Sequence, residues 1–175
     1  MLKGNKVLLR CVERRDISIF YDIWCNEDIR KLDGNFTLPP SKEDLLNNFN
    51  KLMNIDKKYL SIINEKGVVV GYITYREIKE YKNVYVLGIT IGPNFWNRGY
   101  GQDSIKTLLN YLFMDMAAYR IELEVLDFNA RAIQCYKKCG FIEEGKKRKS
   151  CFSNGDYRDV IIMGILREEF IGSNL

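Results

Sequence analysis

The apolar positions of this chain switch between two periods, and the switches mark its elements. Val84-Tyr85-Val86-Leu87-Gly88-Ile89-Thr90-Ile91 is rich in β-branched residues and stops at Gly92-Pro93, which predicts a strand. Beyond a glycine-containing loop, Ile105, Leu108, Leu109, Leu112, Phe113 and Met116 recur at i, i+3, i+4 and i+7, the spacing of one helix face. Strict alternation returns at Arg120–Leu126, where Ile121, Leu123 and Val125 oppose Arg120, Glu122 and Glu124. A short helix should follow. Asn129 is placed to cap it, Ala132, Ile133 and Tyr136 share its apolar face, and Gly140 ends it.

Upstream, Lys6–Cys11 reads as a strand, and a helix follows Asp16 with Ile17, Phe20, Tyr21 and Trp24 on its apolar face. Asn26 to Pro40 reads as a variable segment. Ser41-Lys42-Glu43-Asp44 is a helix start whose stripe is Leu45, Leu46, Phe49, Leu52 and Met53. Strands at Tyr59–Asn64 and Val68–Ile78, joined by a turn at Glu65-Lys66-Gly67, form a meander with Val84–Ile91. The tail closes as a hairpin through Ser153-Asn154-Gly155-Asp156, since Asn-Gly is the strongest short hairpin signal. Strands before, between and after the helices predict a mixed α/β sheet. At 175 residues the chain is read as one domain, 1–175, with a core of comfortable size. Each apolar stripe is read as core and given no ligand role.

Between the Val84–Ile91 strand and the long helix lies Trp96-Asn97-Arg98-Gly99-Tyr100-Gly101-Gln102. A strand, a glycine loop and a helix start together hold phosphate. The glycines keep side chains away, so backbone N–H groups can converge on an anion, and the helix dipole adds roughly half a positive charge. Two familiar loops fail here. A P-loop needs Lys-Ser or Lys-Thr after its second glycine, where this chain has Gln102-Asp103, and Ser104 stands at the third glycine of a dinucleotide fingerprint.

What remains, Arg-Gly-x-Gly at a helix start, resembles the pyrophosphate loop of the GNAT superfamily of acetyl-coenzyme-A-dependent N-acetyltransferases. About thirty residues on, Asn129-x-x-Ala132-Ile133-x-x-Tyr136-x-Lys138-x-Gly140-Phe141 is similar to that superfamily's second signature. The opening, Val7-Leu8-Leu9-Arg10 with Glu13-Arg14-Arg15-Asp16, is similar to the ribosomal-protein-alanine and spermidine acetyltransferase branch. So is the ending, Asn154-Gly155-Asp156-Tyr157-Arg158-Asp159 leading into Val160–Leu166. Trp96 departs from the Gln or Arg of many relatives, but that branch often carries an aromatic there.

The resemblance implies a GNAT fold: a mostly antiparallel central sheet with splayed middle strands, flanked by helices. It implies transfer of an acetyl group from acetyl-coenzyme A to a primary amine by direct attack on the thioester, with no metal. The amide groups from Arg98 to Gln102 would clasp the diphosphate, and Trp96 and Asn97 would also bind the cofactor. The pantetheine arm would lie in the splay against backbone groups of Ile89, Thr90 and Ile91, with Asn129, Tyr136 and Lys138 facing it. Gly88 would mark a bulge that aims those groups. Tyr136 would act as general acid toward the departing thiolate. The base is open, with Glu27, Asp28, Asp33, Glu77 and Glu80 as candidates, and Asp33 and Glu77 are retained as acceptor-binding residues. The acceptor is a protein or peptide N-terminus or a small amine. Polyamine and aminoglycoside acceptors, or a non-catalytic acetyl-coenzyme A sensor, remain as alternatives.

Composition narrows the chemistry. With no histidine, Ser-His-Asp and Cys-His nucleophiles and imidazole-based zinc sites are excluded. The five cysteines (11, 25, 135, 139 and 151) lack C-x-x-C spacing and are read as reduced packing residues. The net charge of +4 is mild, and the run Lys146-Lys147-Arg148-Lys149 reads as a solvated strand rather than a nucleic-acid site. No apolar run approaches the ~18 residues of a membrane span, so a cytoplasmic protein is expected, with a homodimer suggested by analogy.

Overall fold

The computed structural model describes residues 1–34, 39–50, 56–153 and 155–172. Among these, eight strands form one sheet: β1 (Leu2–Lys3), β2 (Val7–Cys11), β3 (Lys58–Asn64), β4 (Val69–Glu77), β5 (Val84–Ile91), β6 (Arg120–Leu126), β7 (Ile142–Ser153) and β8 (Asp156–Leu166). Their spatial order is β1-β2-β3-β4-β5-β6-β8-β7. Neighbours pair antiparallel except β5 and β6, which run parallel. The helices are α1 (Ile17–Cys25), α2 (Glu27–Asp33), α3 (Lys42–Asn47), α4 (Tyr100–Asn110), α5 (Ala130–Lys138) and α6 (Arg167–Gly172).

The sheet is the mixed α/β arrangement expected, and β5 and β6 have the expected bounds. The described part of the variable Asn26–Pro40 segment includes a helix. It contains α2, because the Asn26 side chain accepts from the Ile29 N–H at 3.2 Å and Gly34 ends the helix at φ 63°. Ser41 caps α3 through the Asp44 N–H at 3.0 Å. Leu52 and Met53 of the expected stripe, Asn35 of the variable segment and Asn154 of the hairpin turn lie outside the described residues.

α4 buries Ile105, Leu108 and Leu109 against the sheet, then widens into a π turn, Tyr111–Asp115, that keeps Leu112 and Phe113 buried. The changed pitch carries Met116 off the stripe, and at 39% exposure it is not a core residue. A second cluster packs Ile17, Phe20 and Ile23 of α1 with Ile29, Leu45 and Tyr72. Gly88 sits in regular register opposite Thr74, so the expected bulge is absent. The glycine instead leaves room for the Thr74 hydroxyl, which a Cβ there would approach to 2.9 Å. All five cysteines are free, but Cys11 and Cys25 are exposed rather than part of the core.

One buried charge ties β2, α1 and β3 together. Asp16 is 2% exposed and accepts from both Arg10 guanidinium nitrogens (2.7 and 2.9 Å), the Ser61 hydroxyl (2.6 Å) and the Glu13 N–H (2.9 Å). Burial alone would raise its pKa, but these bonds hold it below the usual carboxylate range. The stability it contributes is therefore present above the unfolded pKa near 3.8 and is lost as pH falls through the lower folded value. Asp16→Ala should cost about 3–5 kcal/mol in urea denaturation at pH 7, because Arg10 loses its two close bonds to a buried carboxylate and keeps only the more distant Glu13, at 3.6 Å. That cost should shrink as the titration is repeated toward pH 3.

Candidate active site

β5 and β6 pair only from Val84 to Val86 against Arg120 to Glu122. Beyond that they diverge, although β5 continues to Ile91 and β6 to Leu126. The ladder shows what β5 offers to this gap. The Gly92 N–H donates to the Val70 carbonyl at 2.8 Å, and bonded pairs alternate along an antiparallel ladder. With Tyr72 opposite Thr90 and Ile73 opposite Ile89, the Thr90 backbone faces β4 while those of Ile89 and Ile91, beyond the last β5–β6 pair, face the gap. The Ile91 carbonyl accepts from the Trp96 indole N–H at 2.6 Å. Ile89 therefore presents its backbone to the gap, and Thr90 brings its side chain.

The glycine loop stands at the mouth of the same gap. Asn97 (φ 58°) and Gly99 (φ 85°) are both left-handed, which turns the chain sharply into α4. Three contacts from outside fix this turn. Lys6 Nζ donates to the Arg98 carbonyl at 3.2 Å, and the Tyr100 hydroxyl donates to Glu65 at 3.0 Å. Asp103 accepts from the backbone N–H groups of Asn5, Lys6 and Val7 at 3.1, 2.7 and 3.0 Å. The start of α4 is thus held rigidly, as a preformed anion cradle requires.

The gap opens into a cleft of about 850 Å³. The loop from Trp96 to Gln102 borders one end, together with Asn129, Arg131, Cys135 and Lys138 of the α5 region. Asn129 caps α5 through the Ala132 N–H at 3.2 Å, and the Arg131 guanidinium stacks on the Trp96 ring, 3.3 Å from its centroid. Asp33, Lys57, Tyr72 and the β7 residues Lys147, Ser150 and Cys151 line the same cleft. Tyr136 also lines it and is buried, and among the described residues its hydroxyl makes no hydrogen bond. Burial raises its pKa, helped by the charges of Cys135, Asp33 and Cys139, so the phenol keeps its proton. Asp33 meets solvent within the cleft, yet the surrounding protein desolvates it enough to raise its pKa to about 6 against the attraction of Lys57.

The match to known proteins agrees with this geometry. Residues 21–141 match the model of the Acetyltransferase (GNAT) family. The chain belongs to that family. It is an acetyl-coenzyme-A-dependent N-acetyltransferase. Over 171 residues it is 28% identical to the spermidine N(1)-acetyltransferase of Vibrio cholerae, covering 96% of this chain and 97% of that protein. It is also 26% identical over 167 residues to the uncharacterized prophage-derived N-acetyltransferase YokL of Bacillus subtilis, covering 95% and 93%. The crystal structure of the Vibrio cholerae spermidine N-acetyltransferase in complex with CoA and spermine superposes with a TM-score of 0.87 at 25% identity, covering 96% and 99% of the two chains.

The structure brings Ile89, Thr90, Ile91, Trp96, Asn97, Arg98, Gly99, Tyr100, Gly101, Gln102, Asn129, Tyr136, Lys138 and Asp33 to this one cleft. Glu77 and Glu80 do not line it. The Glu77 carboxylate accepts from the Asn83 N–H at 2.9 Å and closes the β4–β5 turn. Glu27 pairs with Lys31 at 2.6 Å, and Asp28 too is absent from the lining. Sequence reasoning missed Lys57, Tyr72 and Arg131. Lys57 carries no motif, Tyr72 reads as core, and Arg131 fills an unspecified position of the second signature. The run Lys146–Lys149 lies on β7, with Lys147 paired to Glu124 and Lys146 to Asp159 at 3.4 Å. Among the described residues, no group of three or more His, Cys, Asp or Glu side chains could hold a metal. No helix among them is long and apolar enough to cross a membrane.

Gly101 tests the fit of the cradle to a diphosphate. A Cβ there would meet only Cys135 Sγ and Ile91 Cγ1, both at an ordinary 3.8 Å, so packing does not demand glycine. A helical glycine costs about 1 kcal/mol against alanine, which leaves access for a ligand as its use. Gly101→Ala should hold or raise the melting temperature. Gly101→Val should weaken acetyl-coenzyme A binding tenfold or more by calorimetry.

Proposed function

We propose that the enzyme acetylates a small primary amine delivered along the cleft between Asp33 and Tyr136. The observation that carries this reading is the placement of an ionisable carboxylate and a protonated, unbonded phenol in one cleft that begins at the glycine loop. In this reading the N–H groups from Arg98 to Gln102 hold the diphosphate, and Ile89 bonds the pantetheine arm. Trp96, Asn129 and Lys138 border the arm along its length. Acetyl-coenzyme A supplies an already activated thioester, so no covalent intermediate on the protein is needed.

The chemistry then asks for a neutral amine and a stabilised thiolate. Neutralising an amine of pKa near 10.4 at pH 7 costs about 4–5 kcal/mol, whereas one near 8 costs about 1 kcal/mol. Asp33, ionised above pH 6, attracts the ammonium form and lines up its nitrogen. The ammonium first gives one proton to water. The neutral amine's lone pair then forms the C–N bond, and the nitrogen, now acidic, releases a second proton to Asp33 or water. The C–S bond breaks, and Tyr136 donates to the departing sulfur. A phenol near 10 offers little driving force to a thiol near 8.5, so this contribution is modest.

A polyamine acceptor is the second reading, favoured by the full-length likeness to spermidine acetyltransferases. Thiol release from acetyl-coenzyme A over a panel of amines, amino acids, polyamines, aminoglycosides and short peptides tests the enzyme reading against a sensor. A sensor would bind acetyl-coenzyme A and release no thiol with any acceptor.

Tyr136→Phe should lower turnover about 10²-fold with the acetyl-coenzyme A dissociation constant held. Unchanged turnover would remove the acid role. In the wild type, kcat/KM should rise with pH through about 6 as Asp33 ionises. Asp33→Asn should remove that limb and slow the reaction, while raising the melting temperature at pH 7 because a desolvated charge is gone.

A further inference from the structure

Arg131, the second residue of α5, lines the cleft together with the glycine loop. Its guanidinium lies over the Trp96 ring, 3.3 Å from the centroid, in full stacking contact. The ring is itself held. Its indole N–H donates to the Ile91 carbonyl at 2.6 Å, and it packs against the cluster around α1. The guanidinium is therefore fixed in one plane before any ligand arrives, yet its N–H donors are unspent. Among the described residues Arg131 makes no hydrogen bond and no ion pair, and Asp28 attracts it only from beyond ion-pair distance. Its half-buried charge loses water to its surroundings, and no carboxylate in contact offsets that loss.

We propose that Arg131 is a side-chain ligand of the cofactor diphosphate, its planar fork donating to phosphate oxygens that the glycine-loop amides also hold. This rests on the placement of the diphosphate at Arg98 to Gln102 proposed above, and adds a ligand from the opposite flank of the gap.

The location follows from the stack. Trp96 directly precedes Asn97 and Arg98, so a guanidinium lying on its ring stands at the glycine loop. Tyr136 is five residues further along α5, about 7.5 Å of helix rise, so Arg131 is set back from the thioester. The chemistry fits the same place. Backbone N–H groups offer only partial charges to a diphosphate, whereas a guanidinium offers a full charge in a fork that matches two phosphate oxygens. Neighbouring cations are less suited. Lys6 Nζ is bonded to the Arg98 carbonyl, and the Arg98 side chain is exposed, 5.7 Å from the Phe95 ring. A diphosphate held by Arg131 and the loop together bridges the element after β5 to the element after β6.

The test is calorimetry of coenzyme A and of 3′-dephospho-coenzyme A with the wild type, Arg131→Gln, Arg131→Lys and Lys137→Gln. Lys137 is an exposed cation of the same helix and controls for general attraction. Arg131→Gln should raise the dissociation constant about tenfold or more, and by the same factor for both ligands. Arg131→Lys keeps the charge without the fork and should lose affinity several-fold. Lys137→Gln should stay within about twofold of the wild type. Phosphorus NMR of bound coenzyme A should show the diphosphate resonances moved in Arg131→Gln and the 3′-phosphate resonance unmoved.

An unchanged affinity in Arg131→Gln would overturn the inference, as would an equal loss in Lys137→Gln. So would a loss that disappears with 3′-dephospho-coenzyme A, since the partner would then be the 3′-phosphate. If Arg131→Gln does not fold, Arg131→Lys decides alone, and affinity equal to the wild type overturns the fork. In each case the wild type still binds coenzyme A, and the acetyltransferase reading stands. A wild type that binds no coenzyme A would end both.

Discussion

The site depends on a failure of pairing. β5 and β6 bond for three residues and then part, so backbone groups of Ile89 and Ile91 that a continuous sheet would have used are turned toward a cleft. Such groups are costly to bury unsatisfied, and a strand pair left open is normally closed by the next strand. Here the opening is maintained from both sides. On one, the Trp96 indole takes the Ile91 carbonyl, and Asp103 anchors α4 to the β1–β2 connection. On the other, β6 pairs with β8 over its whole length, which holds it away from β5.

The same constraint explains why two separate sequence signatures meet. The glycine loop follows the free end of β5, and the Asn129 signature follows the free end of β6. Parallel strands carry their following helices to the same edge of the sheet, so α4 and α5 begin side by side at the mouth of the gap. Ligands of open α/β sheets gather at the carboxyl ends of strands for the same geometric reason. Gly101 then approaches Cys135, and Arg131 comes to lie flat on Trp96.

How much of this was legible varied with the physics of each element. β5, β6 and α5 could be read because alternation, β-branching and a capping asparagine all agree locally. α2 was hidden, since its seven residues are mostly charged and its helicity rests on the Asn26 cap and on Ile29 reaching the core. The π turn after α4 has no pattern of its own, so Met116 looked buried on a stripe that the backbone abandons. Within the cleft, the residues of both signatures could be named in advance because a loop and a cap specify them. Lys57 could not, because it belongs to no motif and only the tertiary fold brings it to the cleft. Asp33 itself breaks a local rule, a carboxylate at a helix C-terminus, and such breaches gather where ligands bind.

The outer strand β7 has its own logic. Almost every side chain on it is exposed, on both faces, and it is the last strand of the sheet. A long bare edge of this kind invites another chain to add itself in register. Its register breaks between Lys147 and Cys151, and Lys149 is left-handed at φ 49°. A kinked edge studded with lysines cannot template a flat partner. The basic run, which at first glance suggests a binding patch, thus makes this edge a poor template for strand addition.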